Sequence, residues 1–374
     1  MATFKLLVDG EAVDEAFYQR LSMLEIEEHA DLPGALRLTL PLSADGAGGL
    51  QQLHPSNFLP YTNLAVVIEN GESKACIFDG FVLSHRTHLD RGTTDSTLQV
   101  WAQDASCLMN QEEKAREWVD VTDSQVAGAI FGEYGFSPAS ENGEDDSPSH
   151  TERGHSLMQR ATDIQFLRML ARRNGKLCRV TCEDTPGQYS GYFAAPDLEA
   201  EPALSLTLND PSVANVAALD FEWDVARPSA VRARQALFND ASPSGASGDA
   251  DDSGLPLLDE QGLADFVSNP NTAMLTVPVD DAGELAMRAR AMLREAGWFA
   301  RCQGGADASS LSAIMRAGNI VAVNGASELN SGKYLVWSVR HSIAAESHTI
   351  AFELVRNAVG PAPKAGGGLL GGLL

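Results

Sequence analysis

Basic residues are scarce in this chain: 27 Lys and Arg stand against 51 Asp and Glu, a formal net charge of −24. That deficit argues against broad nucleic-acid binding, which needs a cationic face to displace counterions. It also opposes attraction to an anionic membrane surface. No run approaches the roughly 20 apolar residues of a membrane span. The opening MATFKLLVDGEAVDE lacks a basic segment followed by an apolar stretch of signal-peptide length, so synthesis in the cytoplasm is expected. The metalloprotease pattern HExxH, the nucleophile elbow GxSxG and the phosphate loop GxxxxGK followed by Ser or Thr are all missing.

Cysteine is sparse and unpaired in pattern, with Cys76, Cys107, Cys178, Cys182 and Cys302 at scattered positions. Cys178 and Cys182 share one face if KLCRVTC is a strand, which is half a zinc site without a second Cys or His pair nearby. Buried free thiols are therefore expected. The eight histidines are scattered too, and His85 and His88, three apart on a strand, face opposite sides. Carboxylates are so abundant that no acid/base pair stands out. The sequence assigns no catalytic residue, metal ligand or cofactor-binding residue, and the chain reads as a non-enzyme.

What is present is alternation. A chain of 374 residues is long for one core and suggests two or three domains. Phe4, Leu6 and Val8 alternate before Asp9-Gly10, a tight-turn pair. Leu36, Leu38 and Leu40 share a face, and alternation returns in 63–70, 78–88 and 96–105. Residues 1–112 thus read as a β domain of about six strands.

Residues 113–200 read as a small α/β domain. TDSQVAGAIFGEYGF (122–136) opens with a capping box, Thr122 with Gln125, and stops at Gly135. TDIQFLRMLARRNGKLCRV (162–180) repeats the device with Thr162 and Gln165, an apolar stripe of Phe166, Leu167, Leu170 and Ala171, and a stop at Gly175. Its cations, Arg168, Arg172, Arg173, Lys176 and Arg179, read as a solvated face plus favourable charge at the helix C-terminus. Strand periodicity resumes over 201–360. That region is interrupted at about 239–262, beginning NDASPSGASGDADDSG, by an acidic low-complexity insert expected to be disordered. A helix over 280–297, capped by Asp280 or Asp281, carries the stripe Leu285, Ala289, Met292, Leu293 and Ala296.

The two β regions echo one another. NLAVVIENG, FDGFVLSHRTH and STLQVWAQDA run in the same order as NIVAVNG, KYLVWSVRHSI and HTIAFELVRNA. Duplication would give two similarly folded β domains flanking the α/β insert. A trimer of such chains would present six equivalent units.

The motifs also resemble a known family. TDIQFLRMLARRNG is similar to the S/T-D-x-x-F-L-x-x-L-A-x-x-x-G segment of the phage late control gene D and VgrG family, through Thr162, Asp163, Phe166, Leu167, Leu170, Ala171 and Gly175. IFGEYGF resembles its helix followed by Y/H-G-F. GKYLVWSVRHSIAAESHTIAFELVRN resembles its closing hairpin through Tyr334, Val336, Val339, His341, Phe352, Leu354, Arg356 and Asn357. The resemblance implies an α+β, mainly β fold, with two tube-protein-like barrels flanking the α/β domain and a pseudo-hexameric ring formed by a homotrimer. It implies a structural baseplate hub of a contractile phage tail or contractile injection system, adapting a six-fold inner tube to a three-fold spike. The implied partners are other copies of the chain, the inner tube protein, a separate spike protein and other baseplate components, with no specific nucleic acid. Such a chain would pass from the cytoplasm into an assembled tail or particle. VgrG proteins continue into a spike; here only residues 361–374 follow the last strand.

That Gly/Leu-rich segment, 361–374, offers Leu369, Leu370, Leu373 and Leu374 in a context too glycine-rich for a helix. A frayed end is one reading; a tether whose leucines dock on the spike or a neighbour is the other. Alternatives to the hub are a tail-tip cell-wall hydrolase and a regulatory nucleic-acid binder.

Overall fold

A computed structural model describes residues 3–42, 58–71, 73–90, 96–139, 149–152, 156–235, 246–277 and 282–360, with the single positions 142, 147 and 279. The chain divides into two units. The first comprises Met1–Pro196, Gly305–Gly318 and Trp337–Phe352; the second comprises Asp197–Gly304, Asn319–Val336 and the residues from Glu353 on. This differs from three consecutive domains. Antiparallel sheets pair strands without regard to sequence separation: Ser338–Ile343 lies beside Leu24–His29, which puts late residues into the first unit.

The first unit is built on an antiparallel sheet. From strand Met23–His29 the order runs through Ala35–Pro41, Thr97–Asp104, Ser73–His88, Asn63–Asn70 and Thr3–Val8 to Glu11–Ala12. The first turn is as the dipeptide predicts, with both Asp9 (φ 48°) and Gly10 (φ 83°) in the left-handed region. The alternating leucines lie inside: Leu36, Leu38 and Leu40 are at most 1% exposed and join Leu24, Ile26 and Val100 in one core. Each buried leucine contributes about 1.5–3 kcal/mol. A short helix, α1 (Glu15–Arg20), begins at Asp14, whose carboxylate accepts from the Phe17 amide.

The same unit holds a second core. It lies among the strand pair Glu113–Trp118 and Leu157–Thr162, helices α2 (Asp123–Glu133) and α3 (Asp163–Asn174), and the sheet Leu177–Cys182, Tyr189–Ala194 and Ser137–Pro138. Gly191 is obligatory there, because a Cβ would lie 2.3 Å from the Phe131 ring. Gly175, at φ 63°, ends α3 as expected.

The second unit contains the parallel pair Ser205–Thr207 and Ile320–Asn324 and the antiparallel pairing of Leu219–Trp223 with Ala300–Gly304. In it, helix α4 (Ala282–Gly297) packs Ala289 and Leu293 against Val231 and Ala250. The expected caps Asp280 and Asp281 lie outside the described residues. The expectation of disorder fails over 246–262. Ala246–Ser247 pairs with strand Ala230–Gln235, Gln261–Gly262 pairs with Ala358–Val359, and Leu258 is 8% exposed. Polar composition there hides three leucines and a set of backbone groups that later residues satisfy. Residues 239–245 lie outside the described residues. The strands of the internal echo are sheet neighbours in chain order in both copies.

Candidate functional site

The sequence Thr-Asp-x-Gln occurs twice, at 122–125 and 162–165, and opens both α2 and α3. The two copies behave differently. At α2 the capping box forms: Thr122 Oγ1 accepts from the Gln125 amide, and Gln125 Oε1 accepts from the Thr122 amide. At α3 it does not. Thr162 Oγ1 lies 2.8 Å from Asn110 Oδ1, Gln165 Nε2 donates to the same oxygen, and no side chain caps the helix. Asn110, brought in by a preceding turn, outcompetes the local cap.

What the two copies share is the aspartate. Asp123 and Asp163, each the first residue of its helix, are 0% and 1% exposed. Asp123 accepts from Arg173 Nε at 2.8 Å, from Arg173 Nη2 and from Asn174 Nδ2 at 2.6 Å, both at the end of α3. His150 Nε2, 2.8 Å away, donates to it in the Nε2–H tautomer. Asp163 accepts from Lys114 Nζ at 2.6 Å, Gln159 Nε2 at 2.6 Å and the hydroxyl of Tyr134, the residue closing α2, at 2.7 Å. Each helix start is thus tied to the other's end, and the pair is antiparallel. Burial pushes both carboxyls up, but the hydrogen bonds, from His150 and Arg173 to one and from Lys114, Gln159 and Tyr134 to the other, hold them below the usual carboxylate range. The Tyr134 hydroxyl is pushed up to about 12 by burial and by Asp163.

These contacts correct the reading of the 162–180 cations. Only Arg172 is exposed. Arg173 serves Asp123, and Lys176, 8% exposed, donates to Ser124 Oγ and lies 5.4 Å from the Phe193 ring centre. Arg179 stacks 3.9 Å over Tyr192 and donates to the Ala30 carbonyl. Arg168 is half-buried, its Nε and Nη2 enclosed with no hydrogen-bond partner among the described residues. Arg173, Lys176 and Arg179 are internal struts. Phe166, Leu167 and Leu170 are buried, as their spacing predicts.

The closing motif is likewise internal. Arg356 is fully buried, pairing with Asp259, donating to the Ser331 carbonyl at 3.0 Å and lying 4.8 Å from the Tyr334 ring centre. Asn357 accepts from the Leu258 amide at 2.9 Å and donates to the Pro256 carbonyl at 2.8 Å. Arg356 and Asn357 thereby order the 256–259 loop. Val336, Val339, Phe352 and Leu354 are buried, at 4% exposure or less. His341, wholly buried, donates from Nε2 to the Met315 carbonyl, so its Nδ1 accepts from His348 Nε2 at 3.0 Å. Burial, then the neighbouring His348, pushes His341 down to about 3, and burial pushes His348 down to about 4.

The five cysteines are free thiols, and four are buried. Cys178 joins the second core, whereas Cys182 packs with Cys76, Ala65 and Val67. Among the described residues no group of three or more His, Cys, Asp and Glu is placed to hold a metal ion, and no helix is long and apolar enough to cross a membrane. Leu369, Leu370, Leu373 and Leu374 lie outside the described residues.

The fold is that of phage tail proteins. The 43 kDa tail protein of prophage MuSo2 from Shewanella oneidensis superimposes with a TM-score of 0.68 at 15% identity, over 96% of this chain and 100% of that one. A tail protein from Neisseria meningitidis MC58 gives 0.64 at 15% identity, over 96% and 98%. The E. coli c3393 protein, a type VI secretion component similar to T4 tail proteins gp27 and gp5, gives 0.59 at 15% identity, over 96% and 79%. The family model of the Alg8 N-terminal domain matches residues 1–345, and the chain belongs to that family. No curated protein matches the sequence.

Buried and exposed polar groups should differ measurably in their effect on stability. Asp163→Asn takes the negative charge from among Lys114, Gln159 and Tyr134 while leaving Lys114 its Glu133 partner, and should cost about 1–3 kcal/mol in urea unfolding. Asp251→Asn, which breaks a pair with side chains 36% and 69% exposed, should cost under about 0.5 kcal/mol. For the histidines, the unfolded chain takes up protons near pH 6.5, while the folded pair resists until about 4 and 3. Stability should therefore fall as pH drops below about 6.5, and His348→Gln should flatten that slope in pH-dependent unfolding. The two aspartates, depressed in the fold, lose their contribution only at lower pH.

Proposed function

We propose that this chain is a structural hub of the baseplate of a contractile phage tail or contractile injection system, related to the late control gene D and VgrG proteins. It acts as a homotrimer whose two tube-like barrel domains make a pseudo-hexameric ring, joining the six-fold inner tube to a separate three-fold spike. The observation that carries this reading is the likeness to a tail protein over 96% of this chain and the whole of the other. The three motifs in their family order support it, since their residues sit at packing and strut positions. The role is mechanical rather than enzymatic, in keeping with Asp123, Asp163 and Asp259, whose carboxylates are committed to internal cations. The leucines of 361–374 are the candidate contact for the spike or a neighbouring copy.

The oligomer mass tests the reading. Sedimentation should give a species of three 39.9 kDa chains, alone or once tube and spike proteins are added. A chain that stays monomeric with both partners present contradicts it.

A further inference from the structure

Two of the five thiols meet within the first unit. Cys76 lies in strand Ser73–His88 and is 0% exposed. It packs with Ala65 and Val67, a cluster separate from the core of Leu64, Val66 and Ile68. Cys182 ends strand Leu177–Cys182, packs against that same cluster and is half-buried. Its Sγ donates to the Cys76 carbonyl at 2.8 Å. The thiols also touch each other: hydrogen bonding with Cys182, followed by burial, pushes the Cys76 thiol up. Arg316, which pairs with Glu28, brings Nη2 to 3.9 Å from the Cys182 sulfur.

The arrangement gives the two sulfurs different roles. Thiol–disulfide exchange begins with a thiolate that an oxidant can reach. Cys182 is the reachable sulfur, and the Arg316 guanidinium stands beside it as a counter-charge. Cys76 is sealed from solvent but already in contact with Cys182. Its step is therefore intramolecular, and groups held as neighbours react as though highly concentrated. A sulfur seated against the backbone of its partner residue also has little distance to cover before the bond can form. Cys107, Cys178 and Cys302 are buried, and burial pushes each of their thiols up to about 12.

We propose that Cys76 and Cys182 form a redox site, which a low-molecular-weight disulfide oxidises to a Cys76–Cys182 bond. The Cys182 thiolate attacks one sulfur of the oxidant RSSR, forming Cys182–S–SR and releasing RS⁻, which takes up the proton that Cys182 gave. Cys76 then attacks the Cys182 sulfur, and its proton leaves with the second RS⁻ as RSH. Both cysteines are oxidised and one RSSR is reduced to two RSH. The product ties the antiparallel sheet to strand Leu177–Cys182, whose Cys178 and Val180 belong to the second core. It closes a loop of about a hundred residues, and the stabilisation expected from such a link grows with loop length. The pair stays reduced in a reducing compartment and closes on transfer to an oxidising one. This inference does not rest on the hub reading, because it concerns the isolated chain.

The test incubates the folded full chain with oxidised glutathione and maps its cysteines by mass spectrometry of non-reduced peptides. A linked pair of peptides carrying Cys76 and Cys182 is expected, with Cys107, Cys178 and Cys302 unmodified. In Cys182→Ser, a change at the half-buried position, Cys76 should stay a free thiol. The oxidised chain should unfold at least about 5 °C above the reduced one, and dithiothreitol should remove the difference. Glutathione that remains on Cys182 while Cys76 stays free would overturn the proposal. So would two unmodified thiols, a bond to another cysteine, or an unfolding midpoint that oxidation leaves unchanged.

Discussion

Two carboxylates shut away from water set the geometry of the first unit's helix pair. Asp123 and Asp163 each begin a helix, where negative charge is favourable, and each is also the acceptor for groups closing the other helix. Moving Asp123 would strand the largely buried Arg173, and moving Asp163 would leave Gln159 and the Tyr134 hydroxyl without their acceptor. The helices are therefore fixed at both ends rather than merely packed along one face. The strand pair Glu113–Trp118 and Leu157–Thr162 is drawn into the same lock, because Lys114 and Gln159 supply two of the Asp163 contacts. Polar geometry of this kind specifies one arrangement where apolar contact tolerates several.

The same device recurs at the other end of the sequence. Arg356 and Asn357 are polar residues closing an apolar strand, and they order a loop about a hundred positions earlier, Arg356 by pairing with the Asp259 carboxylate and Asn357 by satisfying the Leu258 amide and the Pro256 carbonyl. Glu28 and Arg316 form a comparable half-buried pair in the first unit, where burial pushes the Glu28 carboxyl up and Arg316 counters it. The net charge of −24 is thus a poor guide to the interior, where Arg173, Arg316 and Arg356 each meet a particular acid and Lys176 and Arg179 meet hydroxyl, carbonyl and ring partners.

Period and turn chemistry were legible in the residues. The Asp9-Gly10 hairpin, the buried run Leu36, Leu38, Leu40, the capping box of α2 and the glycine stop of α3 all follow from local rules. What was hidden depended on distant partners. Arg173 looks solvated until Asp123, fifty positions earlier, is placed beside it, and Thr162 looks like a cap until Asn110 arrives. The acidic stretch over 246–262 looks unable to order until Asn357 and Ala358 supply its backbone partners. One signal was available: a charged Arg356 in the alternating strand HTIAFELVRN had to be either an edge residue or a buried strut. The tail-protein fold followed from motif order rather than from any one residue, and its struts carry much of that motif.

Imaging of an assembled particle speaks most directly to the central claim, that this chain joins tube to spike. Electron microscopy of the chain co-expressed with its tube and spike proteins should show three copies forming a six-lobed ring between the two. A particle whose tube meets its spike with this chain elsewhere or missing would contradict the account.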